Sequence, residues 1–202
     1  PMVEKGLKRL YTFLIFLFLY APIVILIVFS FNNSKSRGVW NGFTLKWYIE
    51  LFKDREVLRA LYNTLLIAIS SSIISTIIGT LAAIGIYNMN GIGKKIVLNL
   101  NYLPVLNPDI VTAVSLMALF RFAKLEFGLF TMLLSHITFC TPYVILSILP
   151  KLKQMNKHIY EAAMDLGATP FYALRKVIIP EIMPGIITGG LMAFTLSIDD
   201  FV

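Results

Sequence analysis

Three carboxylates stand where carboxylates are costly. Asp199 and Asp200 follow a long apolar run, and Asp109 lies in an otherwise apolar stretch that also carries Asn99, Asn101, Pro104, Asn107 and Pro108. An ionisable side chain within lipid is expensive unless it faces a wet cavity, the outer surface or a partner. A cation would offset that cost, so the chemistry these groups suit is attraction of a positively charged solute. Asp109 has a second reading that is compatible with the first: it can cap a short helix running from Val111 onward.

No catalytic constellation accompanies them. His136, His158 and Cys140 form no metal-ligand cluster in the sequence, and the GxSxG and HExxH patterns are absent. A lone His136 in an apolar span reads as hydrogen-bonded between helices rather than as a catalyst. Gly91, Gly93, Lys94 and Lys95 superficially resemble a phosphate loop, but the two glycines four residues apart ahead of Lys-Ser/Thr are missing. The sequence therefore shows no nucleotide site and argues for transport over enzymatic chemistry.

The elements that must position the carboxylates are helices in lipid. Of 202 residues, 57% are hydrophobic and 14% charged, with a mean hydropathy of +0.78. This exceeds the apolar share of a soluble domain and indicates a polytopic all-α membrane bundle. The formal charge of +7 comes from basic residues scattered over loops. No motif for nucleic acid accompanies them, and anionic lipid headgroups are the expected partner. Cys140 has no second cysteine to pair with.

Five spans are visible, near residues 10–31, 61–87, 96–120, 127–150 and from Met183, and a sixth is expected beyond Val202. Lys5, Lys8 and Arg9 precede an apolar core too long for a signal peptide, so the first span is uncleaved, with its N-terminus inside and a bend at Pro22. Residues 32–59 read as an external segment in which Thr44 caps a surface helix through Trp47, Tyr48, Leu51 and Phe52. The second span mixes Ser70, Ser71, Ser72, Ser75 and Thr76 with isoleucine and continues into Gly79, Ala82, Ala83 and Gly85, a face for close helix packing. Residues 88–95 form a short loop. Prolines break the third span, and Arg121, Lys124 and Glu126 form an outer loop. Residues 1–60 thus make a first span with its external segment, and 61–202 a core domain.

Between the fourth and fifth spans lies a loop, 151–182, whose part from Glu161 onward reads EAAMDLGATPFYALRKVIIPEIMPGI through Ile186. Asn156 can cap a first short helix whose apolar face is Met155, Ile159, Ala163 and Leu166. Gly167 suits its C-terminal turn. Thr169 caps a second helix with Pro170 at its first position, Phe171, Leu174, Val177 and Ile178 as its stripe, and Pro180 as its end. Pro184-Gly185 opens the next span, in which Gly185, Gly189 and Gly190 permit close contact or bending.

Glu161-Ala162-Ala163, Gly167 at its offset, then Val177, Ile179 and Pro180 resemble the EAA signature of ABC-importer permease subunits of type I. Val177 and Ile179 stand where that family usually has Ile and Leu. The resemblance implies that this loop is a cytoplasmic coupling helix docked on an ATPase, with Ala162, Ala163 and Leu166 as docking surface, Gly167 as its turn and Glu161 as a positioning contact. Residues 107–111, 134–140 and 194–200 further resemble the spermidine/putrescine branch, of the second-subunit type. That branch implies a bacterial inner-membrane assembly with a second, different permease, two cytoplasmic ATPases that bind the ATP and Mg, and an extracytoplasmic substrate-binding protein. The chain itself would hold no cofactor. Asp109, Asp199 and Asp200 are then the candidates for meeting polyamine ammonium groups. Iron, thiamine or amino-acid-derived solutes are alternative cargo. An ATPase-independent carrier should show internal repeats, which are not evident, and a membrane scaffold would leave the in-span carboxylates without a purpose.

Overall fold

Lipid offers no hydrogen bonds to an open backbone, so apolar runs of this length satisfy their own N–H and C=O groups as helices. The structure, a computed structural model, describes residues 2–34 and 38–199, and every regular element among them is helical. Asp200 lies outside the described residues. The chain divides into two compact units, Pro1–Leu61 and Tyr62–Val202.

In the first unit, α1 (Met2–Ser30) runs through Pro22. The turn after it is pinned to α2 (Lys46–Lys53) by polar and aromatic contacts. Buried Asn32 donates from Nδ2 to Val39 O (2.7 Å), accepts from Asn41 N at Oδ1 (2.8 Å), and its carbonyl accepts from Trp47 Nε1 (2.9 Å). Phe31 stacks on both Phe43 and Tyr48 with centroids 5.3 Å away. Thr44 Oγ1 does accept from Lys46 N (3.1 Å), but Leu45, not Thr44, holds the N-cap position. No residue of α2 is buried, as suits a helix lying at an interface. Helix α3 (Arg55–Asn88) opens earlier than hydropathy indicates, because Asp54 Oδ1 caps it by accepting from Glu56 N (2.9 Å) and Val57 N (3.3 Å).

The second unit continues α3 and adds α4 (Gly91–Leu106), α5 (Asp109–Phe122), α6 (Leu129–Gln154), α7 (Lys157–Asp165), α8 (Pro170–Ala173) and α9 (Ile179–Asp199). The expected 88–95 loop is mostly the first turn of α4, and Arg121 still belongs to α5. At the centre α6 packs along α9, with α3 against both. Val144, Ile148 and Leu152 of α6 meet Ile182 and Ala193 of α9 and Ala83 of α3. The seam is close because its crossing points lack side chains. A Cβ on Gly79 would stand 2.7 Å from Val144 Cγ1, one on Gly185 3.1 Å from Ser147 O, and one on Gly189 3.2 Å from Val144 Cα. Gly85 is no part of this seam and faces open space.

Hydroxyls stitch the same helices: Ser72 donates to Gly190 O (2.8 Å) and Ser75 to Ile137 O (3.3 Å). Cys140 Sγ donates to Ala193 O (3.4 Å).

The third span is two helices bent by 109°. Only Pro108 breaks it. Asn107 before that proline is extended (φ −79°, ψ 146°), whereas Pro104 sits within α4. With 16 and 14 residues, α4 and α5 reach about 24 and 21 Å, less than the ~30 Å lipid core. Asp109 is not the cap expected of it: Pro108 holds that position, and Asp109 is the first helical residue.

Pro180 does not end the second loop helix, and the fifth span does not begin at Pro184-Gly185. Pro170–Asp199 is one rod of 30 residues. A π-turn at Leu174–Ile178 accounts for the difference: Ile179 N donates to Leu174 O, one residue further back than in an α-helix. Pro180 then falls in the opening turn of α9, where a proline's missing N–H is tolerated.

Candidate functional site

Two places collect the candidate residues. The first is the turn between α7 and α8. Asn156 Oδ1 accepts from His158 N (3.0 Å) and Thr169 Oγ1 from Tyr172 N (3.3 Å), so both caps form as their spacing indicates. Gly167 has φ +85°, in the left-handed region. Around it, Gly167 N donates to Met164 O (2.9 Å) and Ala168 N to Ala163 O (3.1 Å). This bond pair is a Schellman ending, which closes α7 and fixes the exit of the chain.

The apolar face expected of α7 is divided. Met155 is buried and ends α6, Ala163 is half-buried, and Leu166 is 89% exposed. Ala163, Leu166 and Gly167 line a groove of about 480 Å³ with Ala168, Thr169 and Tyr172. Phe171, expected on the apolar stripe of the second helix, is also exposed. Ala162 and Glu161 are exposed beside the groove, and Glu161 Oε2 meets His158 Nδ1 at 3.1 Å across one helical turn. Tyr172 went unnoticed in the sequence as a wall of the groove. Its position three residues after the Thr169 cap was the available signal.

The second place is a cavity of about 1080 Å³ walled by α5, the 127–129 turn, α6 and α9. Asp109 and Asp199, far apart in sequence, both line it. The walls are otherwise mainly apolar, with Ile110, Val114, Met117, Phe127, Met132 and Leu196 among them. Two hydroxyls also border it, but they are turned to the backbone: Thr131 Oγ1 donates to Gly128 O (3.0 Å) and Ser135 Oγ to Thr131 O (3.0 Å). Both carboxylates are exposed, and among the described residues neither is held in an ion pair. The arrangement can hold positive charge at two points while apolar walls contact whatever lies between. The apolar walls were not singled out from the sequence, although 134–140 and 194–200 reach the cavity through Ser135, Phe139, Leu196 and Asp199.

His136 is bonded between helices, as a lone histidine in a span should be. It is buried on α6, with Nδ1 2.8 Å from Ser197 Oγ of α9.

A broken span, a capped loop between two long apolar helices and acidic groups in a cavity describe a membrane permease. Comparison with known proteins agrees: the family of binding-protein-dependent transport system inner membrane components matches residues 75–202. The chain belongs to this family of ABC-importer permeases and is a multi-pass membrane transport protein. It is 40% identical to the spermidine/putrescine transport system permease protein PotC of Escherichia coli K12, over the whole chain and 76% of that relative. Identity to the putrescine transport system permease protein PotI of the same strain is 38%, over the whole chain and 74% of the relative. A PotC homolog of Mycoplasma genitalium is 30% identical over 97% of the chain and 74% of its own length.

Proposed function

We propose that this chain forms part of the translocation pathway for polyamines in an ABC importer of the bacterial inner membrane. It would work beside a second permease, two cytoplasmic ATPases that carry ATP and Mg, and an extracytoplasmic binding protein, with its own N-terminus in the cytoplasm. The names of its relatives support this cargo. The observation that carries the reading is the meeting of Asp109 and Asp199 in one otherwise apolar cavity. A polyamine alternates ammonium groups with methylene runs. Carboxylates attract the first, and side chains such as Ile110, Met117 and Phe127 accommodate the second. Asp200, next in sequence to Asp199, is a further acidic candidate.

The coupling end and the cavity end share one element. From Pro170 to Asp199 the rod spans about 45 Å at 1.5 Å per residue. ATP-driven closure of the ATPases would move the loop around Ala163, Leu166 and Gly167, with Glu161 as a positioning contact. The rod would carry that movement to Asp199, exposing the cavity alternately to either side.

The test is spermidine uptake by the complete importer in proteoliposomes. Asp109→Asn, Asp199→Asn and Asp200→Asn each remove one charge and leave shape nearly unchanged. Loss of one partly solvated charge pair should raise KM roughly tenfold with the complex still assembled. Unchanged KM in all three variants removes the cavity from the pathway.

A further inference from the structure

A buried hydrogen-bonded column borders the cavity without lining it. Ser71 of α3, His136 of α6 and Ser197 of α9 are 0%, 2% and 3% exposed. The Ser71 hydroxyl donates to Ala68 O (3.3 Å), and Ser71 Oγ lies 3.0 Å from Ser197 Oγ. Ser197 Oγ in turn lies 2.8 Å from His136 Nδ1. A hydroxyl both donates and accepts, so Ser197 Oγ serves Ser71 Oγ and His136 Nδ1 at once. Three helices are joined by one chain of bonds.

The column shares its helices with the cavity. Ser197 and Asp199 are two residues apart, a rotation of about 200° around a helix. Burying Ser197 against α3 and α6 therefore turns Asp199 well away from that contact, onto the face where it lines the cavity with Leu196. On α6 the same division holds between neighbours: Ser135 borders the cavity, and His136 holds the column. We infer that His136 is a positioning residue for transport. Through Ser197 it sets the rotation of α9 and so the heading of the Asp199 carboxylate in the cavity. His136 itself does not line the cavity. The inference rests on the proposed role of Asp199.

Uptake of spermidine by the complete reconstituted importer tests it, with KM, Vmax and complex abundance measured for each variant. His136→Ala should raise KM roughly three- to tenfold, the range of hydrogen bonds between helices in lipid, with Vmax and abundance little changed. His136→Asn places an amide, able to donate or accept, where Nδ1 stood and should restore KM. In an Asp199→Asn background His136→Ala should add nothing. An equal rise of KM in both backgrounds means that the side chain acts on the bundle at large, and overturns the positioning role. An unchanged KM for Asp199→Asn alone removes Asp199 from the pathway, and the inference falls with it. Should His136→Ala fail to assemble, Ser197→Ala, which removes a single hydroxyl, is read in the same two backgrounds by the same criteria.

Discussion

Substitution of Gly167 separates backbone strain from space in the groove proposed to dock on the ATPase. The residue has φ +85°, and a Cβ built on it would meet nothing within 4 Å. Any cost within this chain therefore comes from the backbone. An L-residue forced into the left-handed region costs about 1–2 kcal/mol, and a β-branched one more, whereas Asn tolerates it well. Since 1.4 kcal/mol is a factor of ten in an equilibrium, Gly167→Val should reduce the population of the native turn by roughly ten- to thirtyfold. The Schellman bonds from Gly167 N and Ala168 N would be lost with it, and α7 would no longer be held against α8 in one orientation. Proteoliposomes containing the complete importer permit uptake and substrate-stimulated ATP hydrolysis to be followed together. Gly167→Val should lower uptake per ATP by about that factor at unchanged abundance, and Gly167→Asn should retain most of it. If Val and Asn are equally impaired, the groove's space and not its backbone governs coupling. If Val transports normally, the docking assignment is wrong.

Three further outcomes follow from particular contacts. Ala163→Asp places a charge in the half-exposed groove wall and should abolish copurification of the ATPase from gently solubilised membranes while the permease remains in the membrane; undiminished capture would move the docking surface elsewhere. Gly79→Ala drives a methyl to 2.7 Å from Val144 Cγ1 and should destabilise the α3–α6 seam by about 1–3 kcal/mol, read as a lower Tm in detergent. Val144 Cβ at 2.8 Å shares the clash with Cγ1, and an unaltered Tm would contradict it. Asn32→Ala leaves the Val39 carbonyl and the Asn41 N–H without their side-chain partner, at about 1–3 kcal/mol for each group that stays buried. The 38–44 segment should then be cut faster in limited proteolysis, and an unaltered rate would show that Asn32 does not hold it.

The parts of the molecule legible in sequence are those governed by short-range forces. Asn156, Thr169 and Gly167 can be assigned from spacing because a cap is a bond between groups two or three residues apart. Long apolar runs become spans because lipid leaves the backbone no other partner. Local rules mislead where a neighbouring element alters their terms. Pro180 ought to end a helix, but the π-turn before it shifts the bonding register and the rod continues. Hydropathy misses the start of α3 because Asp54, its cap, lies in a charged segment. Gly79 and Gly85 look alike in sequence, yet only Gly79 meets another helix.

A helical membrane protein, its long apolar helices and the caps of the 151–182 loop are thus legible in the residues alone, since desolvation and nearby hydrogen bonds settle these within a few turns. Folding brings Asp109 and Asp199 to one cavity, joins Ser71, His136 and Ser197 in a column beside it, and leaves Leu166 out toward solvent. Each of those outcomes depends on how far a helix is rotated about its own axis. For the column and for Asp199 that rotation is set by the close packing of α3, α6 and α9 through their glycines and small residues, which no local pattern of sequence contains.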